Sequence, residues 1–558
     1  LFALDNPKPI RINPWEFSLS GWLVGGDTTL GVLVEGSYVP ALYGLPRPDV
    51  AAHLKDPSLA NCGFYVRFRG PKRNPLIKIV SQGKVLAELK VDLATPVEGP
   101  INSYDAWLNN REASLFWPER EVYERLSALP YRPLLSILLP AHNADPFLYE
   151  QSMQSVARQK YAHWELCPVD NGSGLSTAEA QNLALQKAKG DFLLTLDQHD
   201  QLHPYALLEV VRLLNQRDTC EAIYSDEDKI DLYGARSSPV FKPAMDPDML
   251  LASNYTGRFT AFKRATVMAL GGFRSECEGA HEWDLLVRLL EKSGPQAIQH
   301  LPKPLYHRRA SPATNRRASL KALADYVART GKPAVVEPGL SPDSFRLKQE
   351  APETADVGVF VQQKDTFQIA TTRMSMNRAR NISFDNLSAE VLVFINRPLE
   401  SLNHLFFEEL AAQALREDCG LATGISVDVQ KRVLHSGFLQ AANGHLVDPY
   451  AGCEFSQVAQ LGALPLTRSV EMISDHFFAV RREHLAAVGG ISSQLVHKLV
   501  SHAKRQGLRV IVSPFAVGAF HQSRPEVPLD PVQDGGGVAL NPNLLAFTDL
   551  TRAVRGAV

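Results

Sequence analysis

Polar residues in the middle third of the chain gather in groups able to hold a cation or move a proton. Pro140 to Asn143 (PAHN) closes one apolar run, Asp170-Asn171 closes a second, and Asp197-Gln198-His199-Asp200 closes a third. Asp226, Glu227 and Asp228 form a dense acidic group after the run AIYS, with Lys242 and Asn254 downstream. Glu282 and Asp284 bracket Trp283 where a helical pattern begins, and His307 stands in LYHRR. Carboxylates and imidazoles are the side chains that bind divalent cations, and a carboxylate near a hydroxyl can take its proton during attack. Glu282 and Asp284 lie two residues apart, about 200° around a helix, so they cannot face the same hydroxyl. At a helix start, either one could instead simply answer the dipole.

The elements that must place these groups alternate between strand and helix. LLSILLP reads as a strand buried on both faces. FLYEQSMQSVARQ is helical, with Leu148, Met153 and Val156 available to a core; HWELCPVD is a second strand. AEAQNLALQKAKG is a helix ending at Gly190, and DFLLTLD is another strand. Such alternation implies a parallel sheet with its ligand crevice at the carboxyl ends of the strands, which is where the first three polar groups fall.

From Ser136 to about Ala310 the chain resembles the family-2 glycosyltransferases, particularly bacterial enzymes of surface-polysaccharide synthesis. The resemblance rests on SILLPAHN, DNGS, GDFLLTLDQHDQL, YSDEDKID, FKPAMDPDMLLASNY, GGFR, EGAHEWDLLVRL and LPKPLYHRR, in that order. It implies a GT-A fold that moves a sugar from a nucleotide-sugar donor to a glycan or glycoconjugate acceptor, with inversion, near the inner face of a membrane. A divalent metal, Mn or Mg, would offset the charge growing on the diphosphate. By resemblance, Pro140, Asn143, Asp170 and Asp197 line the donor pocket, and Asp197, His199 and His307 reach the metal. Asp226, Asp228, Lys242, Asn254 and Trp283 would meet the acceptor, and Glu282 is the base. His199 and Glu282 both stand where the family usually has Asp. The alternative for His199 is a surface loop histidine, for Trp283 a core residue, and for the acidic group a solvated loop. Between Ser173 and Ala178 there is no room for the further strand and helix that family members carry, since a βαβ unit takes roughly 30 residues. An inactive copy of such an enzyme, serving as a carbohydrate-binding or assembly scaffold, is the second reading.

The flanking sequence differs in kind. Residues 1–100 hold short alternating runs punctuated by Gly and Pro, which predicts an all-β sandwich. Its Trp15, Trp22 and Phe64 would be either core or a sugar-stacking platform. Residues 101–133 read as a helical connector, and 134–345 as the transferase domain. Residues 346–525 repeat the α/β theme without its acids: Asn396-Arg397-Pro398 follows VLVFI, and LVHKLVSHAKR has His497 and Lys498 where carboxylates are expected. This predicts a multidomain chain with a second, degenerate GT-A-like module, then a Pro/Gly-rich tail over 526–558. The 558 residues exceed what one core can fill, and a net charge of −2 leaves no basic field for nucleic acid. Six scattered cysteines without a CxxC pair point to a reducing, cytoplasmic setting. No apolar run approaches the roughly 18 residues of a membrane span, which leaves peripheral attachment open.

Overall fold

The computed structural model describes residues 2–520, except 5–9, 14–15, 26–28, 35–36, 46–47, 60, 70–75, 91–103, 141–144, 170–173, 233, 310–314, 350–356, 364–365, 373–378, 381–388, 398, 441–444, 461–462 and 493. Asn143, Asp170, Trp15 and the tail after 520 lie outside the described residues.

At the N-terminus two antiparallel sheets face each other. Leu19, Phe64 and Val66 of one pack against Val32, Ile77 and Ile79 of the other, so Phe64 is core. Ser81 pairs with Lys84 across a two-residue turn in which Gln82 and Gly83 have φ of 51° and 73°. Two positive φ values are what the right-handed strand twist requires of so short a hairpin. Helices Tyr104–Asn110 and Glu119–Ser127 then lead to the central module.

The central sheet runs in the order Trp164–Val169, Leu135–Pro140, Phe192–Thr195, Thr260–Lys263, Ala222–Ile230, Ile298–Arg308, Gln201–Leu202. The first three strands are parallel, and Thr260–Lys263 is antiparallel to both its neighbours. Alternation along the strands sends Ile137 and Leu194 to one face, with helix Ala206–Leu214, and Leu138 and Leu193 to the other, with helices Thr177–Lys187 and His281–Ser293. Local chemistry sets the helix starts. Asp145 caps Pro146–Ala157 with Pro146 in the first turn, and Ser176 with Glu179 forms a reciprocal capping box on Thr177–Lys187. Beyond Trp164–Val169 no further strand extends this edge among the described residues.

A second sheet repeats the pattern. Its order is Ala379–Arg380, Thr366–Thr372, Val357–Gln363, Val391–Ile395, Phe477–Arg481, Cys419–Asp428, Arg509–Phe520, Leu399–Leu402. From Val357–Gln363 onward each strand has a counterpart in the central sheet with the same neighbours and the same senses. The divergence is at the edge: Thr366–Thr372 forms an antiparallel hairpin with Val357–Gln363, whereas Trp164–Val169 is parallel to Leu135–Pro140.

The two modules touch through charge. Asp248 pairs with Arg509 at 2.7 Å and with Arg416 at 2.9 Å, and the Ser469 amide donates to Asp246 at 2.6 Å. Arg346, in the hairpin of Ala334–Pro338 and Phe345–Gln349, pairs with buried Glu409, and Phe345 of that hairpin packs in the core of the central module. No helix among the described residues is long and apolar enough to cross a membrane.

Candidate active site

The strand ends converge as the alternation requires. Pro140 is the last residue of its strand and is half-buried. Asp197 follows Phe192–Thr195 and is partly exposed, and its Oδ1 accepts the His199 amide at 3.0 Å. The His199 ring Nδ1 lies 3.4 Å from the same oxygen. Asp200 turns inward, taking the Arg309 amide at 2.8 Å and the Tyr306 hydroxyl at 2.9 Å. Burial, with Asp197 adding like charge, pushes Asp200 up to about 6, against the pull of those two donors and Arg258. Arg309 also donates to the His199 carbonyl and to Gln151, tying the loop to helix Pro146–Ala157.

Glu282 reaches this crevice from the first turn of helix His281–Ser293. Glu278, just before that helix, accepts the Thr177 and Ala178 amides at 3.2 and 3.0 Å, and so locks the start of helix Thr177–Lys187 beside it. One turn on, Gln181 donates to Glu282 at 3.1 Å. Arg258 sits among the acids. Burial opposes its charge, yet Glu282, Tyr306, Asp197 and Asp200 outweigh burial and hold the guanidinium above its ordinary range. Glu282, Asp197 and Asp200 therefore all act on the charge of Arg258. A carboxylate opposite a region that accepts negative charge is the arrangement that group transfer to a hydroxyl needs.

His307 is buried, with Nδ1 on Asp228 Oδ1 at 2.6 Å. Among the described residues no three His, Cys, Asp or Glu side chains form a metal cage. Asp197 and His199 form no such group with His307, whose Nδ1 is held by Asp228. Asp197 and His199 remain a carboxylate–imidazole pair in the crevice. Such a pair fits Mg or Mn, which commonly take one or two protein carboxylates together with substrate phosphates.

The residues expected at the acceptor are mostly internal. Asp226 is fully buried and accepts the Lys242 amide at 2.9 Å, with the His300 ring at 2.8 Å. The Lys242 Nζ donates to the Ser225 and Thr256 carbonyls and to Glu227 at 3.0 Å. Asp228 takes the Tyr104 hydroxyl and Arg236 as well as His307. Trp283 is 2% exposed, donates to the Leu250 carbonyl and stacks on Phe345, as its core alternative requires. These four support the crevice from within, since buried polar groups need partners. Asn254 alone is exposed, accepting from Thr256 at 3.0 Å.

Arg258 and Gln181 escaped the sequence reading, which named Asp200 only as part of its strand-end group. Arg258 carries one mark, a charge two residues before the strand Thr260–Lys263. In the second module, Arg397 follows the strand end and pairs with Asp475 at 3.4 Å, and helix Leu495–Arg505 has no acid in its first turn. His435 and His476 meet edge to face at 4.7 Å in its interior.

Residues 174–271 match the family described as Glycosyl transferase family 2. The O-antigen biosynthesis protein RfbC of Myxococcus xanthus is 26% identical over 78% of this chain and 41% of its own length. The uncharacterized protein y4gI of Sinorhizobium fredii is 27% identical over 66% of this chain and 50% of its own. The chain thus spans half or less of the length of these two relatives. The S. aureus TarS structure with UDP aligns with 35% of this chain and 65% of that one, at 16% identity and a TM-score of 0.28, too low to carry an argument. The matched segment runs from the capped helix that carries Gln181 through Asp197, Asp200, Asp228 and Arg258, so this chain carries a glycosyl transferase family 2 domain.

Proposed function

We propose that the central module transfers a sugar from a nucleotide-sugar donor to a hydroxyl of a glycan or glycoconjugate, with inversion at the anomeric carbon. The observation that carries this reading is the hold of Gln181 on Glu282, which acts on the same Arg258 charge as Asp197 and Asp200. Glu282 takes the acceptor proton. Arg258 and the Asp197–His199 pair lie where the diphosphate would gather charge, and a divalent cation bound there would be held by that pair and the phosphates. Pro140, Asn143 and Asp170 belong to the nucleoside side of the pocket in this reading, and Asn254 to the acceptor side. The O-antigen biosynthesis relative from Myxococcus xanthus supports a place in bacterial surface-glycan assembly, and with it a site of action at the cytoplasmic face of a membrane. The second module, with Arg397 paired to Asp475 and a helix start without acids, serves as a non-catalytic copy.

Calorimetry with a panel of UDP- and GDP-sugars in Mn²⁺ tests the donor half, and turnover with Glu282→Gln tests the base. The expected result is donor binding in both proteins, with transfer reduced about a hundredfold or more in the variant. Absence of binding heat for every donor, or full transfer by the variant, would sink the reading.

A further inference from the structure

The buried network behind His307 does not end inside the transferase module. Asp228, fully buried, accepts three hydrogen bonds: from His307 Nδ1 at 2.6 Å, from Arg236 Nε at 2.6 Å and from the Tyr104 hydroxyl at 2.5 Å. Arg236 in turn donates to Glu112 at 2.6 Å and to the Tyr104 hydroxyl at 3.2 Å. Glu112 is 2% exposed, and its Oε1 lies 3.9 Å from His203, whose ring meets His307 edge-on at 5.8 Å. Tyr104 and Glu112 both sit on the connector, more than 110 residues upstream of Asp228 in the sequence. Behind them Trp107, Leu108 and Phe241 form a small core that Leu439 and Val447 of the second module help to cover. The Tyr104 ring stacks on Trp107 at 5.5 Å, so its hydroxyl is aimed by packing contributed from three parts of the chain.

We propose that Tyr104 and Glu112 are positioning residues for the transfer site, completing from the connector the carboxylate–guanidinium frame that fixes the His307 ring. The inference rests on the site proposed above, which His307 adjoins through its chain neighbours Tyr306 and Arg309, both bonded to Asp200. A carboxylate held on its far side by Tyr104 and Arg236 cannot swing, so it dictates both the plane of the imidazole and which nitrogen bears the proton. As an acceptor, Asp228 requires hydrogen on Nδ1 and makes Nε2 the basic nitrogen. Partners of this kind commonly change ligand affinity 10–100-fold when removed.

The test uses the full chain labelled with ¹⁵N-histidine, the His307 signals being identified by their loss in His307→Gln. The wild type is expected to show a protonated Nδ1. Tyr104→Phe, which deletes one oxygen, is expected to shift that resonance while the thermal midpoint stays within a few degrees. Glu112→Gln, carried in parallel, covers the case of a Tyr104 variant that fails to fold. Tyr123→Phe, at a tyrosine 85% exposed, is expected to leave the ring signals in place. Calorimetry with UDP and Mn²⁺ is expected to show about tenfold weaker binding in Tyr104→Phe than in the wild type. Unchanged His307 signals in folded Tyr104→Phe and Glu112→Gln overturn the inference whatever the nucleotide does. A wild type that binds no UDP counts against the transferase reading, and the ring signals then still decide the role of the connector.

Discussion

Glu282 and Asp284 show how two carboxylates on one helical turn take unlike duties. Asp284 is fully buried and bound by Arg274 Nε at 3.0 Å and Arg288 Nε at 2.8 Å, while Glu282 is only partly covered and bound by a neutral amide. Removing one member of a buried ion pair leaves the other charge uncompensated, at a typical cost of about 3–5 kcal/mol. Asp284→Ala is therefore expected to unfold at markedly lower urea than the wild type. Glu282→Gln is expected to keep its midpoint, and equal losses in the two variants would contradict this division. The side chains expected at the acceptor teach the same lesson. Asp226, Asp228, Lys242 and Trp283 have the types that recognise sugars, yet each is saturated by partners of its own chain, and Asp228 meets the site only through His307.

At the scale of elements, the turn before strand Thr260–Lys263 depends on one glycine. Gly257 has φ of +72°, and a Cβ there would lie 2.2 Å from Glu227 Oε2 and 2.5 Å from Lys242 Nζ. Gly257→Ala is expected to cost about 1–3 kcal/mol in chemical denaturation, from left-handed strain and from displacing a buried ion pair. Wild-type stability in that variant would show that the loop moves freely. In the second sheet, burial, aided by the neighbouring His476 and opposed by Asp475, lowers His435 from 6.5 to about 3. Below pH 6.5 the unfolded chain therefore takes up a proton that the folded one refuses. The stability held by this group is complete above pH 6.5 and drains away as pH falls towards 3. Between pH 6.5 and 5 the loss is about 2 kcal/mol, and His435→Gln is expected to flatten the urea-midpoint profile over that interval by a similar amount. The alternation of strands and helices was legible because apolar period and caps are local properties. Ser176 with Glu179, and Asp145 with Pro146, announce their helices in four residues or fewer. Arg258 and Tyr104 were not legible. What makes them part of a site is proximity to residues 24 and 124 positions away, which no local pattern encodes.

The whole molecule couples its two α/β modules through Asp248, which holds Arg509 and Arg416 with its side chain only 10% exposed. Met249, Ala252 and Leu466 add an apolar contact beside it. Asp248→Ala strands two guanidiniums in this interface, and scanning calorimetry is expected to resolve two unfolding transitions where the wild type gives one. A single unshifted transition would mean that the modules are joined elsewhere. The interface also bears on the order in which the chain can be made. Arg509–Phe520 is the final described strand, yet it pairs with Cys419–Asp428 on one side and Leu399–Leu402 on the other, in the interior of its sheet. While the ribosome is still adding residues 350–508, the sheet that catalysis needs is already out, and Asp248 must wait for Arg509 in water. While residues 350–508 are added the nascent chain thus has a finished workshop and an unfinished brace, and that interval is when a chaperone would find its footing.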